Sequence, residues 1–188
     1  PVCVPHMLES EAVNQYYFYQ GLFEKLDDDG IVVTGPSVAC IAALQTGTVA
    51  REQRVLTNAN CGTMGYCVPA AIGAVVAGGD GRQVVLTTGD GSLQMNVQEL
   101  QTLASRELPI KTFVFSNGGY QAVMISQKNN FGRLSGCTPE SGMALPEIEG
   151  LARAYGIPYR RIENHEQIDD VMNDVLAMEG PVICEVMQ

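Results

Sequence analysis

The sequence predicts an α/β fold in which a doubly wound, mainly parallel sheet of six strands carries helices on both faces. From about residue 30, short runs rich in β-branched residues alternate with longer helical stretches, and the links between them are short. The strand-like runs are almost continuously apolar, as expected for strands that are covered on both sides. In such a sheet ligands bind beyond the carboxyl ends of the strands, so the turns that follow the strands are where a site is expected.

Five segments have the composition of buried strands. They are residues 31–34, 55–57, 84–88, 112–115 and 182–186. Each is rich in Val, Ile, Leu, Phe or Thr, which favours a pleated strand. Because helical stretches follow most of them, we expect the strands to pair in parallel.

The helical stretches are marked by their spacing and by their ends. Residues 148–155 repeat apolar side chains at helical spacing, with Pro146 near the start and Gly156 just past the end. The other expected helices cover residues 12–26, the stretch that ends near residue 45, the stretch that an Asn96 cap begins, and residues 168–176. The aromatic cluster at residues 16–19 is expected to face the sheet.

Length and composition limit the classes of function. The 188 residues fit one domain, in which residues 1–10 form a leader or linker, and Pro1 in place of Met indicates a processed chain or a piece of a longer protein. A net charge of −10 argues against nucleic acid or an anionic membrane as a partner. No signal peptide or long apolar run is evident, and six cysteines without a CxxC pair favour reduced, buried thiols in a cytoplasmic protein over a zinc site.

Three turns that follow predicted strands carry chemistry. They are Gly35-Pro36-Ser37, Gly89-Asp90-Gly91-Ser92 and Ser116-Asn117-Gly118-Gly119-Tyr120. Asp90 and Asn117 offer a carboxylate and an amide oxygen on neighbouring strand ends, and the carbonyl of Gly119 follows two residues later. Mg²⁺ prefers such oxygens and shares them with phosphates. The glycines let backbone N–H groups reach phosphate oxygens that a Cβ would keep away, so an acidic chain could still hold a diphosphate.

Asp90, Met64 and Ser37 also have ordinary structural interpretations. Asp90 would then be a helix cap or turn residue, Met64 a core methionine, and Ser37 a hydroxyl that satisfies its own turn. The aspartates at 27–29 are expected to form a solvated turn and not a second metal site.

The turns at residues 89–92 and 116–120, with their flanking segments, resemble a known family. Gly89-Asp90-Gly91, with Asn117 placed 27 residues after the aspartate, resembles the thiamine-diphosphate motif. Residues 62–74 (GTMGYCVPAAIGA) and 89–103 (GDGSLQMNVQELQTL) are similar to acetolactate synthases. The likeness runs from about residue 12 to 187.

This resemblance implies the C-terminal thiamine-diphosphate-binding domain of an acetolactate-synthase-like 2-oxo-acid decarboxylase or carboligase, with thiamine diphosphate and Mg²⁺ as cofactors. Asp90, Asn117 and the Gly119 carbonyl would hold Mg²⁺. Met64 would support the thiazolium ring from below. The other implied cofactor contacts are Gly35, Ser37, Gly62, Gly89, Gly91, Ser92 and Tyr120.

The sequence departs from the family pattern in two places. Ser116 stands where the family commonly has the first of two asparagines. Residues 120–127 lack the Arg-Gln-Trp-Gln run of biosynthetic acetolactate synthases. Together with residues 130–133 and 155–158, they look more like relatives associated with unusual sugars and polysaccharides.

The family also needs a glutamate from a separate pyrimidine-binding domain, and the resemblance assigns that role to no residue here. We therefore expect the isolated chain to be essentially inactive. It would work with that domain on a small 2-oxo acid, as a homodimer or larger assembly, and FAD is expected only in a full-length parent. Two alternatives stay open: a subunit of a split enzyme whose partner carries the pyrimidine domain, and a non-catalytic phosphate-binding α/β domain.

Overall fold

One parallel sheet organises the chain. The computed structural model describes residues 10–35, 38–78 and 81–188, without the side chain of Val38. The strands are β1 (Ile31–Thr34), β2 (Arg54–Thr57), β3 (Val84–Gly89), β4 (Ile110–Ser116), β5 (Tyr159–Ile162) and β6 (Val182–Met187). All neighbours pair in parallel, in the order β2-β1-β3-β4-β6-β5. The chain leaves β1 for β2 on one side and returns to β3 on the other, so the topological switch point lies between β1 and β3.

Helices cover both faces of the sheet. They are α1 (Gln15–Lys25), α2 (Val38–Thr46), α3 (Cys67–Gly78), α4 (Asp90–Leu93), α5 (Leu100–Ser105), α6 (Gln121–Phe131), α7 (Ile148–Tyr155) and α8 (Ile168–Ala177). One apolar core lies between the sheet and α1, α2 and α8, and the other between the sheet and α3, α5 and α7. The predicted doubly wound α/β class is therefore confirmed.

The ends of two helices show how the sequence sets them. The side chain of Asn14 accepts the backbone N–H groups of Tyr16 and Tyr17, so α1 begins at Gln15 and not at residue 12. Gly156 ends α7 as predicted, because its left-handed backbone (φ 67°) stops the helix at little cost.

The aromatic cluster of α1 anchors that helix on the sheet, as predicted. Phe18 lies edge-on to Phe113 and Phe115 of β4, with ring centroids 5.1 and 5.2 Å apart. The buried hydroxyl of Tyr19 donates to Thr87 Oγ1 at 2.7 Å, and burial raises the pKa of this tyrosine. The first helix is thus fixed close to the carboxyl end of β3.

Two local predictions were wrong or incomplete. Asn96 does not cap a helix: it lies at φ −140°, ψ 38° within the 3₁₀ segment Gln94–Glu99, and its side-chain amide donates to the Gly65 carbonyl at 2.9 Å. A tertiary hydrogen bond therefore overrides the local capping pattern. Strand β5 was not among the five segments predicted, because Arg160 and Arg161 interrupt its apolar pattern; it is an edge strand that pairs only with β6.

The exposure of the aspartates at 27–29 and of the cysteines can be compared with what the sequence predicted. Asp27, Asp28 and Asp29 are exposed, as predicted for a solvated turn. The five described cysteines are free and four are buried, but Cys61 is exposed, which corrects the expectation of buried thiols throughout. Among residues 10–35, 38–78 and 81–188, no helix combines the length and apolar character needed to cross a membrane.

Candidate functional site

Two of the three predicted turns, at residues 89–92 and 116–120, meet at one edge of the sheet. Strands β1, β3 and β4 are neighbours, and Gly89 at the end of β3 is in register with Phe115 of β4. Beyond these strand ends lies a cleft of about 310 Å³. Its position beside the switch point is where a doubly wound sheet binds ligands.

Nine of the eleven predicted site residues line this cleft. They are Gly62, Met64, Gly89, Asp90, Gly91, Ser92, Asn117, Gly119 and Tyr120. Gly35 is not on the cleft wall; it is buried, and a Cβ on it would lie 2.9 Å from Cys67 Sγ. Ser37 lies outside the described residues.

Asp90 connects the ends of β3 and β4. Its side chain is buried, with 3% of the residue exposed, and Oδ2 accepts the backbone N–H groups of Asn117 at 3.0 Å and Gly118 at 2.8 Å. Oδ1 accepts the N–H of Gly91 at 2.7 Å. The resemblance implied that the N–H of Gly91 donates to a phosphate oxygen, whereas in the structure it donates to Asp90 Oδ1. The aspartate thus fixes the turn that carries the second predicted ligand.

Burial makes the charged form of Asp90 costly. Burial raises the pKa of its carboxyl, although the backbone N–H groups of Gly91, Asn117, Gly118 and Gly119 act to lower it. A divalent cation at this carboxylate would stabilise the charged form and so offset the cost of burial.

Asn117 has a buried oxygen without a partner. Its backbone N–H donates to Asp90, whereas its side-chain Oδ1 is buried and accepts no hydrogen bond. The next residue, Gly118, has φ 73°, a left-handed conformation that favours glycine, and it turns the chain at the end of β4. An unpaired buried carbonyl oxygen costs about 1–3 kcal/mol, so a ligand at this position is expected to recover that cost.

Close packing fixes the turn around Gly119. A Cβ on Gly119 would lie 2.2 Å from the carbonyl oxygen of Cys137, and the N–H of Tyr120 donates to the same oxygen at 3.0 Å. The ring of Tyr120 covers the α-carbon of Gly91, where a Cβ would lie 2.5 Å from Cε1. A Cβ on Gly89, by contrast, would meet no atom within 4 Å, so this α-carbon faces open space.

A second loop closes the cleft from the α3 side. The N–H of Gly65 donates to Ser92 Oγ at 3.0 Å, which joins the loop before α3 to the first turn of α4. Half-buried Met64, from the same loop, lines the cleft. The Ser92 hydroxyl oxygen is engaged as an acceptor, and its hydrogen stays available to donate.

Sequence reasoning missed six residues of the cleft wall. They are Gln15, Ala39, Phe115, Gln121, Ala122 and Val123. The last three form the first turn of α6 and directly follow the predicted Tyr120, so the start of that helix was a signal available in the sequence. Gln15 and Ala39 come from distant helices that only the folded sheet brings to this edge.

The charge of the cleft limits what it can hold. Among its described lining residues Asp90 carries the only formal charge. No group of three or more His, Cys, Asp and Glu side chains suited to a metal ion occurs within the described chain. A cation here must therefore draw on amide and carbonyl oxygens, and a diphosphate beside Asp90 would need that cation to offset the repulsion.

Asp90 also borders a second cavity, of about 370 Å³. Its wall includes Glu147, Glu149 and Glu185, together with Arg161. Glu185 Oε2 accepts the Tyr159 hydroxyl at 2.5 Å. This second cavity therefore has more acidic side chains on its wall than the cleft beyond β3 and β4.

Several curated proteins are similar to this chain. Acetolactate synthase 2, chloroplastic, of Zea mays is 29% identical over 184 residues, which cover 95% of this chain and 28% of that protein. Probable acetolactate synthase 2, chloroplastic, of Oryza sativa subsp. japonica is 30% identical over 185 residues, with 94% and 28% covered. The acetolactate synthase large subunit of Porphyra purpurea is 37% identical over 141 residues, with 73% and 23% covered.

The chain thus spans less than a third of the length of these relatives. A family model described as "Thiamine pyrophosphate enzyme, C-terminal TPP binding domain" matches residues 37–186, which contain every predicted site residue except Gly35. The fold, the cleft at its switch point and this match together show that the chain belongs to the family of C-terminal TPP-binding domains of thiamine pyrophosphate enzymes.

Proposed function

We propose that this domain binds the magnesium-diphosphate end of thiamine diphosphate in the cleft beyond β1, β3 and β4. Asp90 Oδ1 or Oδ2, Asn117 Oδ1 and the Gly119 carbonyl would supply the protein's ligands to Mg²⁺. The observation that carries the proposal is the unpaired, buried Oδ1 of Asn117, which the Asp90 hydrogen bonds hold at the end of β4 beside a buried carboxylate.

The residues of the cleft have distinct roles in this proposal. Asp90 neutralises part of the cation's charge and orients the Asn117 turn through its backbone hydrogen bonds. Gly89 leaves open space at the strand end, so a phosphate oxygen can approach the backbone. The Ser92 hydroxyl and the first turn of α6 provide donors for phosphate oxygens. Met64 provides an apolar surface for the thiazolium ring.

Bound thiamine diphosphate supplies an electron sink for the decarboxylation of 2-oxo acids. The whole enzyme is accordingly proposed to be an acetolactate-synthase-like decarboxylase or carboligase, acting as a lyase or transferase. This chain would be one domain of it and would hold the cofactor without completing the active site. The acid that activates the aminopyrimidine would come from a pyrimidine-binding domain, and the working enzyme would be a dimer or larger assembly.

The pyrimidine-binding domain could be connected to this domain in two ways. It belongs either to the same longer polypeptide or to a separate subunit, and the short coverage of the relatives is compatible with both. Family membership argues against an accidental match to the motif, and a non-catalytic phosphate-binding domain stays the second alternative. A cytoplasmic location and FAD in a full-length parent stay predictions.

Calorimetric titration of thiamine diphosphate into the chain, with Mg²⁺ and with excess chelator, tests the proposal. We expect binding that needs Mg²⁺ and that Asp90→Ala abolishes. Glu149→Gln, which removes a carboxylate from the second cavity only, is the matched control and should bind as the wild type does. Binding that is independent of Mg²⁺, or that survives Asp90→Ala, would reject the proposed site.

A further inference from the structure

Gln15, at the first position of α1, is an unusual component of the cleft wall. The residue is polar and only 7% exposed, and its buried Oε1 accepts no hydrogen bond. No residue of the proposed cation site contacts it through a hydrogen bond, and neither the family resemblance nor the proposed magnesium site gives it a role. A buried acceptor without a donor destabilises the protein unless a ligand completes it.

The orientation of the Gln15 amide is fixed by a chain of hydrogen bonds. Gln188 Nε2 donates to the Val13 carbonyl at 3.3 Å, so Gln188 Oε1 must face Gln15. Gln15 Nε2 donates to that oxygen at 2.6 Å. Exchanging the oxygen and nitrogen of either amide would bring two acceptors or two donors together. The group of Gln15 without a partner is therefore the oxygen.

Backbone pairing holds this arrangement rigid. The N–H of Val13 donates to the Met187 carbonyl at 2.9 Å, and the N–H of Gln188 donates to the Ser116 carbonyl at 2.9 Å. Ser116 directly precedes Asn117, so the Gln15–Gln188 pair is tied to the same strand end as the proposed cation ligand. The start of α1 and the ends of β4 and β6 thus form one unit.

Two neighbouring clefts share Gln15. A smaller cleft of about 250 Å³ is lined by Gln15, Gln121 and Gln188 among others. The cleft of about 310 Å³ that is proposed to hold the cofactor, called the cofactor cleft below, is lined by Gln15 and Gln121 but not by Gln188. The nitrogen of Gln15 is directed to Gln188 and so to the smaller cleft. The oxygen is the group of this side chain without a partner, and Gln15 also lines the cofactor cleft.

We infer that Gln15 Oε1 accepts a hydrogen bond from the occupant of the cofactor cleft and is a further binding residue of the site, an inference that rests on the proposed function. Diphosphate oxygens and the carboxylate of a 2-oxo acid are acceptors, so they cannot be the partner. The donor must be an O–H or N–H group. It comes either from a water molecule bound to the cation or from the amino group of the organic part of the cofactor.

Titrations with two ligands test the inference and separate the two sources. Magnesium thiamine diphosphate and magnesium pyrophosphate are titrated into the wild-type chain and into Gln15→Met, which keeps the side-chain length and removes the acceptor. We expect the variant to bind about five- to tenfold more weakly, as for the loss of one hydrogen bond in a buried site. Equal weakening for both ligands identifies a cation-bound water, and weakening for thiamine diphosphate alone identifies the amino group.

Gln20→Met is the matched control, because it makes the same change on the exposed side of the same helix. It should bind both ligands as the wild type does. Gln15→Leu also removes the acceptor, with a different apolar shape, and it decides the question if Gln15→Met fails to fold.

The inference is overturned if Gln15→Met, or Gln15→Leu in its place, binds both ligands with wild-type affinity. In either case the proposed cofactor site would stand, because the wild-type chain still binds. Failure of the wild-type chain to bind either ligand would instead reject the proposed function itself, and this inference with it.

Discussion

Replacing Asn117 should separate the stability of the empty domain from its affinity for ligand. In the empty protein Oδ1 of Asn117 is a buried acceptor without a donor, a defect that costs about 1–3 kcal/mol. Asn117→Ala removes that defect together with some half-buried contact area. We therefore expect the free energy of unfolding of the empty variant to equal that of the wild type or exceed it by about 1 kcal/mol, which raises the melting temperature by about 2–4 °C at this chain length.

The response to ligand should change in the opposite direction. At a ligand concentration of about 100 times Kd, the wild type gains about 2.7 kcal/mol, or about 5–11 °C in melting temperature. Loss of one neutral oxygen ligand should weaken binding by about 1.5–3 kcal/mol, taken from hydrogen bonds to charged groups. At the same ligand concentration, the gain of the variant should then fall below about 1.3 kcal/mol.

Thermal unfolding of both proteins, with and without magnesium thiamine diphosphate, measures the two effects together. Thr112→Val is the matched control: it removes another buried, unpaired oxygen from β4, away from the cleft, and should leave the ligand-induced shift unchanged. If Asn117→Ala lowered the melting temperature of the empty protein and kept the full ligand-induced shift, Asn117 would be a structural residue and not a ligand of the cation.

Three further predictions follow from particular contacts. Gly119→Ala should lower the melting temperature, because its Cβ would lie 2.2 Å from the Cys137 carbonyl oxygen. Gly89→Ala should leave the melting temperature unchanged, because its Cβ would meet no atom, and should weaken the binding of magnesium thiamine diphosphate in titrations. Equal melting temperatures for the two variants would contradict this prediction. In the native protein a maleimide should label exposed Cys61 and spare Cys67, whose pKa burial raises to about 12, and mass spectrometry of the labelled peptides checks this. Burial lowers the pKa of His165, so near and below the ordinary value of 6.5 the unfolded chain binds more protons than the folded protein. The free energy of unfolding should therefore fall as the pH drops through that value. In urea unfolding, the difference in this free energy between pH 7 and pH 5 should be smaller for His165→Gln than for the wild type.

The centre of the candidate site was predictable because its residues follow directly from strand order. Asp90 and Asn117 each come straight after an apolar strand, and the carboxyl ends of neighbouring parallel strands meet at one edge. The glycines around them fit a crowded turn, as the contact of Gly119 with the Cys137 carbonyl shows. The ligand roles of these residues, in contrast, are still predictions.

What the sequence did not indicate depends on contacts between distant segments. The hydrogen bond of Gln15 with Gln188 joins residues 173 positions apart, and no local pattern marks either residue. Asn96 has the spacing of a cap but bonds to Gly65, a residue of the loop before α3. Strand β5 is charged because it lies at an edge of the sheet, where an arginine side chain can reach solvent, so its composition conceals its structure.

A crystal structure of the domain with thiamine diphosphate and with Mn²⁺ in place of Mg²⁺, in which anomalous scattering locates the cation, would show which residues hold it. We expect one cation at about 2.0–2.3 Å from a carboxylate oxygen of Asp90, from Asn117 Oδ1 and from the Gly119 carbonyl, with the diphosphate on its open side. A cation held instead by the carboxylates of Glu147 and Glu149 in the neighbouring cavity, with Asn117 Oδ1 still unpaired, would contradict this expectation.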